Sequence, residues 1–175
     1  MRKVLLCALA LTALPALANG SQQPASPQWT NPAIDTAGYL RMVNEAAVHR
    51  ESRRVSEDEF IRMAQLPGVV VLDARSRGKY QALHVRGAVN LSYPDLTVES
   101  LAQLVPDTDT LVLIYCNNNF ANAPDAMPTK MPAAALNLAT YTALYTYGYR
   151  NVYELGPYLD VNSTRIPFVK EGARR

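Results

Sequence analysis

Cysteine is scarce in this chain of 175 residues, which contains only Cys7 and Cys116. Because Cys7 lies in an N-terminal segment that we expect to be removed, Cys116 remains alone, and a disulfide within the mature chain is excluded. Net charge is also low: it is +2 for the whole chain and zero without residues 1–18, which contain two basic residues and no acid. A neutral chain lacks the basic surface that binds nucleic acid. After residue 18 no apolar run is long enough to span a bilayer, so we expect no membrane span.

The N-terminus has the three parts of a secretory signal peptide. The basic pair Arg2-Lys3 is followed by the apolar segment 4–17, and Ala16-Leu17-Ala18 gives the small-x-small pattern that signal peptidase recognises. This segment is too short and wrongly flanked for a membrane span. We therefore expect residues 1–18 to be a signal peptide that is cleaved after Ala18, and the mature protein to be periplasmic or secreted.

The mature chain is divided by composition into four parts. Residues 19–34 are rich in Gln, Pro, Ser and Asn, which is typical of a flexible leader. Residues 35–54 carry apolar residues at helical spacing and form a predicted N-terminal helical extension. Strand and helix patterns then alternate over residues 55–165, which form the main domain, and residues 166–175 are interpreted as a C-terminal tail.

The alternating part predicts an α/β fold. Ser56 and Glu59 form a capping-box pattern at the start of a helix. Two continuous apolar runs, at 69–72 and 111–115, are typical of strands that are buried on both faces of a parallel sheet. A long helix is predicted over residues 133–147. Together these patterns predict an open parallel sheet of about five strands with helices on both faces.

Cys116 directly follows the most apolar of the predicted strands. In open parallel sheets, ligands bind beyond the carboxyl ends of the strands. The N–H groups of the following loop and a helix N-terminus favour an anion there; they also lower the pKa of a thiol, and the thiolate is the nucleophile. Asparagine tolerates the left-handed backbone that a tight anion-binding loop needs. We therefore expect Cys116 to be catalytic. The candidate anion-binding residues are Asn117, Asn118, Asn119, Phe120 and, through its charge, Lys130.

Three separated motifs follow one another between about residues 55 and 160. They are VVVLDARS at 69–76 with HVRGAVNL at 84–91, then the strand that ends in Tyr115 and Cys116, and finally GYRNVYEL at 148–155. In this order they resemble the motifs of the rhodanese-like domain family. The resemblance predicts a rhodanese-like fold for this part of the chain.

The resemblance also implies a function. Members of this family take a sulfane sulfur from a donor such as thiosulfate as a cysteine persulfide, and pass it to an acceptor such as cyanide or a thiol. For this chain it implies a sulfurtransferase with Cys116 as the nucleophile, a small sulfur-containing anion or thiol as substrate, and neither a metal nor a cofactor. We interpret Asp73, Arg75 and His84 as structural support rather than as catalytic groups.

The loop after Cys116 departs from the family, because it is more than twice the usual length and contains Pro124, Pro128 and Pro132. This loop motivates a second hypothesis, a non-catalytic rhodanese-like module that recognises a periplasmic protein partner. A third is a thiol redox role through mixed disulfides, which needs an external thiol. A phosphatase of the related dual-specificity type needs an arginine where this chain has Asn122, so the sequence gives that function poor support.

Overall fold

The computed structural model describes residues 31–171, and its elements alternate as the sequence predicts. Its α-helices are α1 (Thr36–Glu51), α2 (Glu57–Ala64), α3 (Arg77–Ala82), α4 (Val98–Leu104) and α5 (Leu136–Thr146). Its strands are β1 (Arg54–Val55), β2 (Val70–Asp73), β3 (His84–Val85), β4 (Val89–Asn90), β5 (Val112–Tyr115), β6 (Phe120–Ala121), β7 (Val152–Leu155), β8 (Leu159–Asp160) and β9 (Phe168–Val169). Short 3₁₀ turns cover Tyr93–Asp95, Asn117–Asn119 and Pro132–Ala134. The predicted signal peptide, residues 19–30 of the predicted leader and the last four residues lie outside the described part.

The main sheet has five parallel strands in the order β1-β7-β5-β2-β4. This order puts β5, the most apolar strand, in the centre, with β7 on one side and β2 on the other. A second, antiparallel ladder pairs β3 with β9, and a parallel ladder pairs β6 with β8. The predicted α/β class and the five-stranded parallel sheet are confirmed.

Strand β5 shows why both faces of the sheet are covered. Its residues are all buried, and they alternate between the two faces because successive side chains of a strand point in opposite directions. Leu113 and Tyr115 pack into a core with Phe60 and Met63 of α2. Val112 and Ile114 pack into a second core, together with Ala46 of α1, Leu101 of α4 and Leu144 of α5. The sheet therefore lies between two layers of helices.

The starts of α2 and α5 can be compared with the sequence prediction. The Ser56 hydroxyl accepts the Glu59 N–H at 3.2 Å, as the capping pattern predicts, while the Glu59 carboxylate pairs with Arg62 instead of completing the box. Helix α5 begins at Leu136, three residues later than predicted, because residues 132–134 form a 3₁₀ turn and Ala135 has an extended backbone. The N-terminal amides of α5 are therefore those of Leu136 and its successors.

Both ends of the predicted domain are extended by packing. Helix α1 contacts α5, where His49 Nδ1 lies 2.8 Å from the Tyr141 hydroxyl, and Arg50 pairs with the buried carboxylate of Glu154. At the other end, Ile166 is buried and β9 pairs with β3. Residues 166–169 therefore belong to the domain rather than to the predicted tail, since an apolar residue and a strand partner hold them there. Within residues 31–171, none of the helices has the length and apolar character that a membrane span requires.

Candidate active site

The thiol of Cys116 lies where the central strand ends. Cys116 follows β5 with an extended backbone and is 2% exposed. The neighbouring strands β2 and β7 end at the same edge, at Asp73 and Leu155, because all three run in parallel. This edge carries the residues that the sequence singled out, as expected for an open parallel sheet.

The main-chain N–H groups of Asn137, Asn118 and Leu136 act on the Cys116 sulfur in the direction that lowers its pKa. Two of them are the first amides of α5, which have no carbonyl partner within their own helix. The sequence placed the donors in the loop at 117–120. There, however, the Asn119 and Phe120 amides already donate to the carbonyls of Cys116 and Asn117. At the sulfur, the Asn118 amide of this loop is joined by the N-terminus of α5, which begins about 20 residues further along the chain.

Burial raises the pKa of the Cys116 thiol above its ordinary value, although the amides of Asn137, Asn118 and Leu136 act to lower it. The carboxylate of Glu154 also raises it, because a negative charge disfavours a thiolate. The sequence prediction of a lowered pKa is therefore wrong in sign. Desolvation of a 2% exposed residue outweighs the donors that the prediction relied on.

The three asparagines hold the backbone around the thiol with their side chains. Asn117 Nδ2 donates to the Pro128 carbonyl. Asn118 makes a reciprocal pair with Lys130: its Nδ2 donates to the Lys130 carbonyl at 2.8 Å, and its Oδ1 accepts the Lys130 N–H at 3.0 Å. These three hydrogen bonds attach the long loop to the end of β5, so this loop lies in a defined place beside the thiol.

Asn119 ties the thiol's own backbone to its neighbours. Its Oδ1 accepts the Cys116 N–H at 2.9 Å, and its Nδ2 donates to the Leu155 carbonyl at 2.8 Å. Asn137 Nδ2 donates to the same Asn119 oxygen at 3.2 Å. The strand end of β5, the strand end of β7 and the start of α5 are thereby joined through one side chain.

Asp73 and Arg75 form a buried ion pair behind the thiol. Arg75 Nε lies 2.9 Å from Asp73 Oδ1, Arg75 Nη2 lies 2.6 Å from Asp73 Oδ2, and the Tyr115 hydroxyl donates to Oδ2 at 2.5 Å. Arg75 also donates to the carbonyls of Leu83 at 2.7 Å and Ala126 at 3.0 Å. Burial acts to lower the pKa of Arg75, but the hydrogen bond and charge of Asp73 raise it above its ordinary value. The pair thus holds the long loop against the sheet.

His84 and Phe120 lie apart from the thiol chemistry. The His84 ring stacks on Tyr80 with centroids 3.7 Å apart, and its Nδ1 lies 2.7 Å from the Tyr80 carbonyl. Phe120 packs edge-on against Tyr115 and Phe168 in the core. His84 therefore fixes α3 to β3. Phe120 supplies packing, and its amide is bonded within the 3₁₀ turn rather than offered to an anion.

A cleft of about 360 Å³ opens beside the thiol. Its lining residues are Ala74, Arg75, Ser76, Lys79, Ser92, Tyr93, Pro94, Asn117, Pro128, Lys130 and Leu136. Cys116 is not itself a lining residue, but two lining residues adjoin it: Asn117 follows it in the chain, and the Leu136 amide acts to lower its pKa. The sequence pointed to Lys130 but missed Lys79. The signal for Lys79 was its place in the first helix after β2, since such a helix starts at the edge where ligands bind.

Comparisons with known proteins agree with this architecture. Residues 56–156 match the family model described as Rhodanese-like domain. A curated relative, an HTH-type transcriptional regulator of Mycobacterium tuberculosis, is 32% identical over 74 residues, which make up 42% of this chain and 31% of the regulator. The chain therefore spans less than a third of that relative's length.

Two solved structures illustrate the likeness in three dimensions. A rhodanese with anions from E. coli is 25% identical, with a TM-score of 0.40, over 58% of this chain and 98% of that one. The BH2092 protein from Bacillus halodurans is 21% identical, with a TM-score of 0.45, over 65% of this chain and 75% of that one. Since the family model matches more than half of the sequence, the chain belongs to the rhodanese-like domain family.

Proposed function

We propose that this protein is a sulfurtransferase in which Cys116 carries a sulfane sulfur as a persulfide. The observation that supports this proposal best is the position of Cys116 at the carboxyl end of the central strand, where the first amides of α5 and the Asn118 amide act to lower its pKa. Such donors stabilise a negatively charged sulfur without adding a titratable group. The cleft is lined by Asn117 and Leu136, whose positions adjoin the thiol.

In the first half-reaction, the Cys116 thiolate attacks the sulfane sulfur of a donor such as thiosulfate. A sulfur–sulfur bond forms to Cys116, the sulfur–sulfur bond of thiosulfate breaks, and sulfite leaves with the electron pair. The thiol must first lose its proton, and the raised pKa keeps the thiolate fraction small near neutrality. A less acidic thiol gives a more nucleophilic thiolate, which partly offsets the smaller fraction.

In the second half-reaction, the thiolate of an acceptor attacks the outer sulfur of the persulfide. The bond between that sulfur and Cys116 breaks, the acceptor leaves as a persulfide, and Cys116 is regenerated as a thiolate. The amides of Asn118, Leu136 and Asn137 favour the thiolate that returns to Cys116, so the resting enzyme is restored with the same surroundings. No metal or cofactor takes part in this scheme.

We further propose that the reaction takes place after export, in the periplasm or outside the cell. The N-terminal pattern of a basic pair, an apolar segment and Ala16-Leu17-Ala18 supports this location. Fractionation of cells that express the full chain tests it. A cytoplasmic protein that retains residues 1–18 contradicts it.

The intact mass of the mature protein after incubation with thiosulfate tests the proposed activity. We expect the wild type to gain the mass of one sulfur atom and to lose it again on addition of a thiol. Cys116→Ser should gain nothing. An unmodified wild type, in a folded sample whose Cys116 can be alkylated, contradicts the proposal.

One observation favours a second candidate, a recognition module without turnover. Cys116 is 2% exposed and its pKa is raised. This environment fits an inert structural cysteine as well as a reactive cysteine that is protected from solvent. The related segment of the transcriptional regulator also lies in a protein whose name states regulation rather than sulfur transfer. Capture of a periplasmic partner by wild type and by Cys116→Ala alike, together with no sulfur adduct, would establish this candidate instead.

A further inference from the structure

The cleft beside Cys116 is larger than the proposed inorganic donor requires. Its volume of about 360 Å³ lies at the lower end of the ~300–1,000 Å³ that is typical of sites for small organic ligands. Thiosulfate and cyanide, with a handful of atoms each, would leave most of this space empty. The volume therefore suits a molecule with a carbon skeleton.

The charge on the cleft has one sign. Lys79 and Lys130 line it, and none of its lining residues is an acid. Arg75 also lines it, but its charge is balanced by Asp73 in the buried ion pair. The two lysine ammonium groups make no salt bridge among residues 31–171. The cleft therefore offers two positive charges that a ligand can neutralise.

Both lysines are held at the cleft by contacts with the long loop. Lys79 Nζ donates to the Asp125 carbonyl from the α3 side. Lys130 belongs to the loop itself, where the reciprocal pair with Asn118 fixes its backbone. An ammonium group has three donors, so Lys79 keeps two for a ligand. The lysines thus approach the cleft from two different elements.

The remaining walls are apolar for the most part. Tyr93, Pro94, Pro128 and Leu136 are among the residues that line the cleft. These side chains can cover methylene groups, and they add little to the binding of a bare, strongly hydrated anion. A ligand that uses the whole cleft has an apolar section as well as a charge.

We infer that Lys79 and Lys130 form an anion subsite, separate from the amides on the sulfur, that selects a small organic thiol with a carboxylate as the sulfur acceptor. This inference rests on the proposed sulfur transfer. The acceptor's carboxylate binds the two lysines, its carbon skeleton lies along Tyr93 and Leu136, and its thiolate attacks the outer sulfur of the Cys116 persulfide. The acceptor leaves as an organic persulfide, Cys116 returns to the thiolate, and no oxidant or reductant is consumed.

Binding of unreactive analogues tests the subsite without any turnover. Titration calorimetry would compare 3-(methylthio)propionate with 2-(methylthio)ethanol, which lacks the carboxylate. We expect the acid to bind more tightly, roughly fivefold weaker binding of the acid in Lys79→Ala or Lys130→Ala, and a loss of the preference at high salt. Lys170→Ala is the matched control, because Lys170 is an exposed lysine outside this cleft, and it should bind as the wild type does. Equal binding of the two analogues by wild type overturns the inference.

Discharge of the preformed persulfide tests the same selection in the reaction. We expect 3-mercaptopropionate to remove the added sulfur faster than 2-mercaptoethanol. Each rate is divided by the concentration of thiolate, which is obtained from a titration of that compound. Lys79→Ala should lose this preference and Lys170→Ala should keep it. If the persulfide forms but both thiols discharge it equally, the subsite is wrong and the sulfurtransferase stands. If no persulfide forms, the activity is wrong, and the calorimetry alone decides the subsite.

Discussion

Loss of the Arg75 charge should cost this fold a large part of its stability. In Arg75→Met the aliphatic length remains, but the Asp73 carboxylate is left completely buried with the Tyr115 hydroxyl as its remaining side-chain partner. The carbonyls of Leu83 and Ala126 also lose their donor. Removal of one partner of a buried ion pair costs about 3–5 kcal/mol, out of a total stability of about 5–15 kcal/mol for a domain.

Urea denaturation of the mature protein, followed by circular dichroism, measures this loss. Arg62→Met is the control, because its pair with Glu59 is exposed, with side chains 62% and 40% accessible, and solvent-exposed pairs contribute little to stability. A double variant with Asp73→Asn and Arg75→Met should lose less than the two single variants together, because no charge remains buried. If Arg75→Met is no more destabilising than Arg62→Met, the buried pair does not stabilise the site as we argue.

Three further predictions concern the thiol and its surroundings. Asn118→Ala keeps its main-chain amide but loses both side-chain bonds to the Lys130 backbone. The KM for a carboxylate-bearing acceptor should therefore rise about as much as in Lys130→Ala, and the double variant should raise it little further. Additive effects of the two substitutions would contradict this coupling. Burial raises the pKa of Glu154 above that of a free glutamate, against the lowering effect of Arg50, so its contribution to stability is complete at low pH and declines as pH rises through the raised pKa. Unfolding midpoints measured across this range should lose that decline in Glu154→Gln and show a larger one in Arg50→Ala. The pKa of Cys116 is also raised, so stability should fall at alkaline pH as the thiol titrates, and Cys116→Ser should remove this fall. An unchanged pH profile of stability in that variant would contradict the assignment.

The sequence was sufficient for the layered α/β fold because its signals are local. Ser56 caps α2 by accepting the N–H of Glu59, three residues further along the chain. The apolar runs of β2 and β5 identify strands that are buried on both faces. Asp73 and Arg75 lie two residues apart, so their pairing at a strand end is also a local feature. The pairing of β9 with β3 could not be seen, because it joins two-residue strands that are more than 80 residues apart.

The site was predicted in part, and the missing part depends on tertiary contacts. The place of Cys116 at the end of β5 follows from the strand pattern alone. Loop amides, Asn118 among them, and a helix N-terminus were predicted near its sulfur. The amides of Leu136 and Asn137 could not be named, since the start of α5 shifts from 133 to Leu136 and packing brings this start to the thiol. The sign of the pKa shift also depends on burial by surrounding elements, which outweighs the local field of the amides. Lys79 and Lys130 line the same cleft only because the long loop folds against α3, where Lys79 donates to the Asp125 carbonyl.

The rate at which the mature protein acquires one sulfur atom from thiosulfate, followed by intact mass as a function of pH, tests the central claim most directly. A nucleophilic Cys116 with a raised pKa predicts an adduct on the wild type, none on Cys116→Ser, and a rate that keeps rising beyond the pKa of about 8.5 of a free thiol. A wild-type protein that stays unmodified at every pH at which it is folded would contradict the account, and a rate that levels off well below that pH would contradict the assigned environment of the sulfur.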